Sequence, residues 1–405
     1  MARASNTIAL GLKRSLFFLI VIALAGRAGA AALPGFRVER VADARGFVSS
    51  IAVDSHGTIY YTTTNGGIYR LDGPVASVAT EAVGNAGLLG MALIDDRTAV
   101  VHYTRPNQTY DVISLIDLVN GSETVLHEFA GDIGNPDHGI SPEHHGGNPT
   151  VGADGAIYVG IGDYGAVQIA EDPQWNGGKV FRVDRDGSAQ QIARGFRNPF
   201  DIAWDPKGQQ LVVPDNGDVV DDEINVITES GGFYGWPLTA GAEPAVAGAI
   251  PPAYVFPEVV APTGITRLRS GGFVLCSFVT RALYFFDDAN APRPIAILRG
   301  ETAPLIDVAE SPSGDIYIAT GATIYRLISP LRGDCNGDGV IDFADVGALM
   351  LELADGDPHD VHLAQDGNYR GSWGCDVDGD GLITSRDVGA LWRLMTNRFP
   401  AVRRR

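Results

Sequence analysis

Polar residues that can exchange protons or bind a polar ligand recur at the ends of strand-like segments between residues 143 and 237. The segments are 143–147 (EHHGG), 160–163 (GIGD), 195–199 (GFRNP), 221–225 (DDEIN) and 232–237 (GFYGWP). Imidazole accepts a proton near neutral pH, and a guanidinium group pairs well with carboxylates and carbonyls. Because radially arranged strands bring such ends together, the pattern predicts one site at the mouth of a β-propeller channel.

A two-strand unit recurs six times between residues 36 and 328, and it must position these segments. Each copy has an apolar alternating strand, an Asp/Gly-type turn and a second strand rich in Ile, Tyr and Val. The copies are 50–60, 88–101, 150–158, 201–208, 264–285 and 307–317. Such alternation indicates hairpins, and six copies of this length suit four-stranded blades. We predict an all-β six-bladed propeller over 36–328, with a β-sandwich or an irregular all-β fold as the alternative.

Two acidic loop–helix units fill residues 333–396, where 13 Asp or Glu residues stand against 3 Arg. Oxygen ligands at loop positions 1, 3, 5, 7, 9 and 12, with Gly at position 6, are the pattern of an EF-hand calcium loop. The predicted ligands are Asp334, Asn336, Asp338, the Val340 carbonyl, Asp342 and Asp345, then Asp376, Asp378, Asp380, the Leu382 carbonyl, Thr384 and Asp387. Apolar periodicity predicts helices over 346–353 and 388–395. The alternative is an acidic polar linker that binds no calcium.

This duplicated unit ends each loop in Asp and carries one following helix. It resembles the type I dockerin module of secreted polysaccharide-degrading proteins. The resemblance implies a small α-helical domain with two calcium ions, a cohesin-like or cell-surface partner, and a role in polysaccharide catabolism. Loop positions 10 and 11 hold Phe343-Ala344 in one copy and Ser385-Arg386 in the other, and the 355–373 insert departs from the compact form.

The propeller resembles the soluble glucose/sorbosone dehydrogenase family, which uses pyrroloquinoline quinone (PQQ). Segments 87–92, 177–182 and 262–265 carry the resemblance together with those given above. It implies that His144 is the base that takes the proton of a sugar hydroxyl, with Asp163 in the catalytic set. Hydride then passes to the quinone. Arg197, also in the catalytic set, and Asn198 match the family pair that contacts the cofactor.

The resemblance also implies a calcium ion beside the quinone, bound by the carbonyl of Gly217 with Asp218 as its neighbour. Asn85 and Arg281 take the remaining cofactor-contact positions. Where the family brings Lys and Arg to the quinone carboxylates, this chain has the apolar or neutral residues Val279 or Thr280, Pro304 and Ile306. Two hypotheses follow: a PQQ-dependent sugar or alcohol dehydrogenase, or a non-catalytic carbohydrate- or protein-binding propeller. No suitably placed carboxylate pair supports a glycan hydrolase.

Residues 1–30 have the features of a secretory signal peptide: Lys13 and Arg14, an apolar run too short to span a bilayer, and a small-residue cleavage site. We therefore expect a secreted protein, extracellular, cell-surface associated or periplasmic, without a transmembrane anchor. The net charge of −19 argues against nucleic acid as a partner.

Trp236 is interpreted as a residue that packs between blades, with lining the channel as the alternative. The three cysteines lie outside the polar segments of the site. Cys335 and Cys375 flank the two matching acidic loops, so they form either a disulfide or two free thiols. Cys276 is interpreted as a buried small hydrophobe.

Overall fold

The computed structural model describes residues 36–106, 110–131, 143–241, 246–269, 271–329, 331–355, 362–363, 369–370, 373–378 and 383–398. The predicted signal peptide lies outside these residues, as do the second-loop ligands Asp380 and Leu382. Among the described residues, no helix is both long and apolar enough to cross a bilayer.

The first three blades are antiparallel sheets built from consecutive strands. Blade 1 contains β2 (Val48–Val53), β3 (Ile59–Thr63), β4 (Gly67–Arg70) and β5 (Gly73–Ser77). Blade 2 contains β6 (Leu88–Leu93), β7 (Thr98–Thr104), β8 (Tyr110–Asp117) and β9 (Glu123–Ala130). Blade 3 contains β10 (Thr150–Val151), β11 (Ile157–Ile161), β12 (Lys179–Val183) and β13 (Ala189–Arg194), with β17 (Gly232–Phe233) parallel to β13.

The last three blades follow the same plan. Blade 4 contains β14 (Ala203–Asp205), β15 (Gln210–Asp215), β16 (Glu223–Ile227) and β18 (Tyr254–Val255). Blade 5 contains β19 (Pro262–Arg267), β20 (Phe273–Ser277), β21 (Leu283–Phe286) and β22 (Ile295–Leu298). Blade 6 contains β23 (Leu305–Glu310), β24 (Ile316–Thr320), β25 (Thr323–Ile328) and, outermost, β1 (Arg37–Asp43).

Six blades confirm the predicted propeller, and each sequence copy overlaps the first strand of one blade. The ring is closed by β1, which pairs antiparallel with β25, so that Val38 lies opposite Leu327. The first strand of the fold therefore completes the last blade and covers its edge, which limits edge-to-edge pairing with other chains. Apolar side chains fill the spaces between neighbouring blades: one cluster joins Leu88 and Val101 of blade 2 to Tyr60 and Ile68 of blade 1.

The C-terminal region contains two helices, α1 (Phe343–Asp355) and α2 (Ser385–Arg398), which bracket both predicted helical segments. A short hairpin, β26 (His362–Leu363) with β27 (Tyr369–Arg370), lies between them in the chain. Leu349 of α1 and Leu391 of α2 pack in one buried cluster. Cys335 and Cys375 form a disulfide in the same cluster, which decides between the two alternatives given for them. Cys276 is buried, as predicted.

Candidate functional site

The polar segments converge because strands in a blade alternate in direction. A loop between the second and third strands of a blade therefore emerges at the same end as a connection to the next blade. His144 precedes β10 and Asp163 follows β11, while Arg197 lies between β13 and β14. Contacts among these segments are direct: the Asp163 amide donates to the Arg197 carbonyl at 2.8 Å. The predicted site at the mouth of the propeller is therefore one connected group of loops.

His144 and Asp163 form a hydrogen-bonded pair. The His144 Nδ1 atom lies 2.7 Å from Asp163 Oδ1, and the Asp163 side chain is fully buried whereas that of His144 remains 14% exposed. A carboxylate can only accept here, so Nδ1 carries a proton, and in the neutral ring Nε2 is then the nitrogen with the lone pair. Asp163 Oδ1 also accepts the Gly165 amide at 2.8 Å. The pair is thus the arrangement of a histidine base whose tautomer is set by a carboxylate.

Trp236 connects this pair to Arg197. Its Nε1–H donates to Asp163 Oδ2 at 2.9 Å, and the Arg197 guanidinium carbon lies 5.8 Å from the centroid of its ring. Of the two interpretations of Trp236, the structure favours the alternative, lining the channel, over packing between blades, because Trp236 borders a cleft together with Arg197. The Tyr-Gly-Trp-Pro segment carries no signal that its indole reaches a residue 73 positions earlier. Trp236 therefore belongs to the candidate site.

The Arg197-Asn198 pair is fixed by its backbone. Asp215, at the end of β15, accepts the Arg197 amide at 2.8 Å and the Asn198 amide at 2.7 Å. Burial raises the pKa of Asp215 well above the usual carboxyl range, and the charge of Glu223 adds to that shift. Asn198 Oδ1 in turn accepts the Gly146 amide at 3.3 Å, in the loop that carries His144. The pair predicted to hold a cofactor thus lies beside the predicted base.

A small open cleft lies beside these residues and is lined by Arg197, Asp215, Gly217, Asp221, Glu223 and Trp236, among others. The Gly217 amide donates to Asp222 Oδ1 at 2.8 Å, so the loop carrying the predicted calcium ligands is fixed to its own acidic segment. Asp218 is 66% exposed and lies 3.5 Å from an Arg197 nitrogen. The cleft is therefore rich in the oxygen donors that calcium prefers, beside one guanidinium.

The two other predicted cofactor contacts lie at the surface. Asn85 is exposed in the turn before β6. Arg281 is exposed in the turn between β20 and β21, with positive φ, and its guanidinium donates to the Thr302 carbonyl at 3.4 Å. Ile306, at a position where the family has a basic residue, is buried in β23. Among the described residues, no hydrogen bond or ion pair joins Asn85 or Arg281 to the cleft, and their role stays a prediction.

The acidic loops of the C-terminal region also bring predicted ligands together. Side-chain oxygens of Asp376, Asp378 and Asp387 all lie within 4.8 Å of one another. In the first loop, Asp345 Oδ1 accepts the Asn336 amide at 3.1 Å, and Asp345 Oδ2 accepts the Asp342 amide at 2.7 Å. In each loop the twelfth residue is thus a buried aspartate at the start of a helix. The calcium prediction remains untested for both loops.

Fold and site together define a six-bladed propeller with a histidine–aspartate pair, a tryptophan and an arginine grouped at its mouth. The family model described as Glucose / Sorbosone dehydrogenase matches residues 41–328. The chain belongs to this family.

The chain is similar to known proteins both in sequence and in three-dimensional structure. Quinoprotein glucose dehydrogenase B of Acinetobacter calcoaceticus is 34% identical over 132 residues, covering 25% of this chain and 27% of that protein, so the match spans about a quarter of its length. The PQQ-bound aldose sugar dehydrogenase of Streptomyces coelicolor superposes with a TM-score of 0.64 at 22% identity, covering 74% of this chain and 99% of that one. The apo-form soluble aldose sugar dehydrogenase of Escherichia coli gives 0.63 at 18% identity, covering 72% and 99%. These structures support the fold.

Proposed function

We propose that the protein is an oxidoreductase that oxidises a hydroxyl group of a sugar or another alcohol with PQQ. The observation that carries the proposal is the contact between His144 Nδ1 and Asp163, with Trp236 joining that carboxylate to Arg197 at one cleft. The family membership and the PQQ-bound relative of the same fold support it.

In this proposal His144 takes the hydroxyl proton at Nε2, the ring nitrogen that Asp163 leaves free of a proton. The Asp163 carboxylate then stabilises the imidazolium that forms, and it holds the ring plane throughout. When bound, PQQ accepts the hydride that leaves the alcohol carbon. Arg197 borders the cleft with its side chain 15% exposed, and a guanidinium is a bidentate partner for a quinone carboxylate or carbonyl.

The donor set of the cleft also fits a calcium ion. Oxygen atoms come from the Gly217 loop and from the acids of the 215–223 segment that line the cleft. Calcium takes six to eight such ligands, including backbone carbonyls. We propose that the Gly217 carbonyl and the Asp218 carboxylate contribute to this site, and that the ion offsets acidic charge that would otherwise repel an anionic cofactor.

The test is isothermal titration of PQQ into the calcium-loaded full chain, with His144→Ala and Arg197→Ala in parallel. We expect Arg197→Ala to weaken binding and His144→Ala to bind normally but to oxidise no aldose with a dye acceptor. A matched control is Arg185→Ala, because Arg185 is exposed and only donates to the Gly155 carbonyl. Absence of binding by the unaltered protein would overturn the proposal.

A second candidate is a non-catalytic carbohydrate- or protein-binding propeller. The observation that favours it is the composition of the cleft, where one guanidinium stands beside three acids among the lining residues. PQQ carries three carboxylates, and unpaired buried charge is costly. Binding of a neutral oligosaccharide without any PQQ binding would support this function instead.

We further propose that the protein is exported and that residues 333–396 form a dockerin-like module with two calcium ions. The signal-peptide pattern, the disulfide and the three convergent aspartates support this proposal. Such a module gives the propeller a cohesin-like or cell-surface partner in polysaccharide catabolism. Calcium titration should show two sites that Asp345→Asn and Asp387→Asn remove one at a time, and pull-down on immobilised cohesins tests the partner.

A further inference from the structure

Two adjacent histidines each pair with a buried aspartate. His144 contacts Asp163, as described, while its neighbour His145 lies with Nδ1 at 3.1 and 3.3 Å from the two carboxylate oxygens of Asp111, on β8. The His145 side chain is 2% exposed, so this second pair lies inside the protein. Since the carboxylate accepts, His145 Nδ1 also carries its proton.

Tyr164 links the two pairs. It follows Asp163 in the chain, and its hydroxyl donates to Asp111 Oδ2 at 2.6 Å. Its ring meets that of His145 edge to face, with centroids 5.0 Å apart. Its backbone amide donates to the His144 carbonyl at 3.2 Å. Tyr164 therefore contacts both the second pair and the backbone of His144.

His102, on β7, completes the cluster. Its Nδ1 lies 2.8 Å from the Gly147 carbonyl and donates a hydrogen bond to it. Its Nε2 lies 3.8 Å from Asp111 Oδ1. Burial acts to raise the pKa of Asp111, but the nearby His145 and His102 outweigh it, so that the pKa falls below the ordinary value. Asp111 is thus a fixed acceptor at the centre of the cluster.

The loop needs such support because His144 has a φ of +56°, a left-handed conformation that non-glycine residues seldom adopt. Gly146 follows with a φ of +83°, and a Cβ there would overlap the Gly160 carbonyl. A strained backbone persists only where its surroundings determine it. Three contacts hold this loop: Tyr164 donates to the His144 carbonyl, the His145 ring donates to Asp111, and His102 donates to the Gly147 carbonyl. The last two contacts are made by His145, Asp111 and His102.

We propose that His145, Asp111 and His102 are positioning residues that hold the loop of His144 in place, so that its ring stays against Asp163 in the Nδ1–H tautomer with Nε2 available as the base. The inference rests on the proposed function of His144. None of the three lines the described cleft, so they act through His144 rather than on the substrate. His144 supplies the proposed catalytic imidazole. The ring of its neighbour His145 is buried instead, where it contacts Asp111.

The test compares His145→Leu, which removes the donor to Asp111, with His145→Asn, whose amide nitrogen takes the place of Nδ1. For His145→Leu we expect kcat to fall by about tenfold to a hundredfold, because small displacements of a base are costly. KM and PQQ affinity should stay within about threefold, since Arg197 is held separately by Asp215. His145→Asn should recover most of the rate. His127→Leu is the control, because the Nδ1 atom of His127 also has a hydrogen-bond partner, the Gly187 carbonyl at 3.0 Å, but lies outside the site.

Heteronuclear NMR of histidine-labelled protein without cofactor gives a readout that does not depend on activity. We expect one Nδ1–H tautomer for His144 in the unaltered protein and in His145→Asn, and a mixture in His145→Leu. An unchanged tautomer and unchanged kcat in a folded His145→Leu would overturn the inference. So would equal losses of kcat, PQQ affinity and Tm in both variants, which indicate a structural role only. Should the unaltered protein oxidise no alcohol, the proposed function fails, while the tautomer measurement still decides the positioning role.

Discussion

Asp163→Asn changes one atom at the centre of the site. Asp163 accepts three hydrogen bonds, from His144 at 2.7 Å, from the Gly165 amide at 2.8 Å and from Trp236 at 2.9 Å. An amide has only one oxygen, so its NH₂ group must face either His144 and the Gly165 amide, which share Oδ1, or Trp236, which uses Oδ2. If it faces His144, the ring must become the Nε2–H tautomer, which cannot accept a proton. If it faces Trp236, two N–H groups oppose each other and the indole moves.

Both outcomes remove much of the general-base contribution, which is worth roughly 10² to 10⁴ in rate. We therefore expect kcat to fall by about a thousandfold, or roughly 4 kcal/mol of transition-state stabilisation. Steady-state oxidation of an aldose with a dye acceptor measures the loss, and titration of PQQ checks that binding survives. Asp172→Asn is the control, because Asp172 only caps a surface turn through the Gln174 amide. A kcat within about threefold of the unaltered protein would refute the assigned role of Asp163.

Three more predictions test separate parts of the molecule. Trp236→Phe removes the donor to Asp163 and keeps a ring under Arg197, so kcat should fall by about tenfold while PQQ affinity is unchanged; a lower affinity would contradict this division. Burial raises the pKa of Asp201 well above the usual range and that of Asp307 to about 7, and the charge of Asp307 adds to the shift of Asp201. Their folded-state pKa values lie above the unfolded value, so the stability they contribute is complete below about pH 4 and is lost as the pH rises through the raised values. The free energy of unfolding, measured with denaturant at a series of pH values, should therefore fall as the pH rises above about 4. Asp307→Asn should weaken this pH dependence, and an unchanged dependence would refute the assignment. Chelation of calcium should reduce the helical circular dichroism of α1 and α2, because Asp345 and Asp387 are fully buried beside other acids; Asp387→Asn should mimic half of this loss, and an unaffected signal would rule out structural calcium.

The sequence was sufficient for the repeating parts of the fold and insufficient for its closure. Six alternating segments predict six blades because each copy carries its own turn signal. Strand β1 has seven mostly exposed residues without strict alternation, and nothing in them shows that they pair with β25 almost 290 positions later. The helices were predictable since apolar periodicity is local, whereas strand pairing at the ring closure is not.

The site shows the same division between local motifs and distant contacts. His144, Asp163 and Arg197 stand in glycine-containing motifs that mark close turns, so their types and spacing could be recognised. His102 and Asp111 lie inside regular strands, where a single polar residue gives no motif. The sequence does carry one signal, because each residue is a polar one in an otherwise apolar strand segment. Both are buried in the structure, and buried polar groups require polar partners. Which partners they contact follows only from the three-dimensional structure.

The charge of the cleft separates the two candidate functions. Among the described lining residues, Arg197 is the one basic side chain, and Asp215, Asp221 and Glu223 are the acids. Burial raises the pKa of Asp215 well above the usual range and that of Glu223 to about 7, and a divalent cation in the cleft would offset both the ionised forms of these acids and the charge of a trianionic quinone. One ion pair at about 4 Å near a protein surface is worth roughly 4 kcal/mol. Removal of calcium should therefore weaken PQQ binding by at least about a hundredfold.

A neutral carbohydrate carries no such charge, so its affinity for a binding propeller should change by less than about threefold when calcium is removed. Isothermal titration of both ligands, with calcium and with a chelator, makes the comparison on one protein sample. Asp221→Asn is the informative variant, because it removes one acid of the cleft. Under the dehydrogenase hypothesis it should reduce the dependence of PQQ binding on calcium, since less cationic charge is then required. PQQ affinity that is equal with and without calcium would refute this account of the cleft.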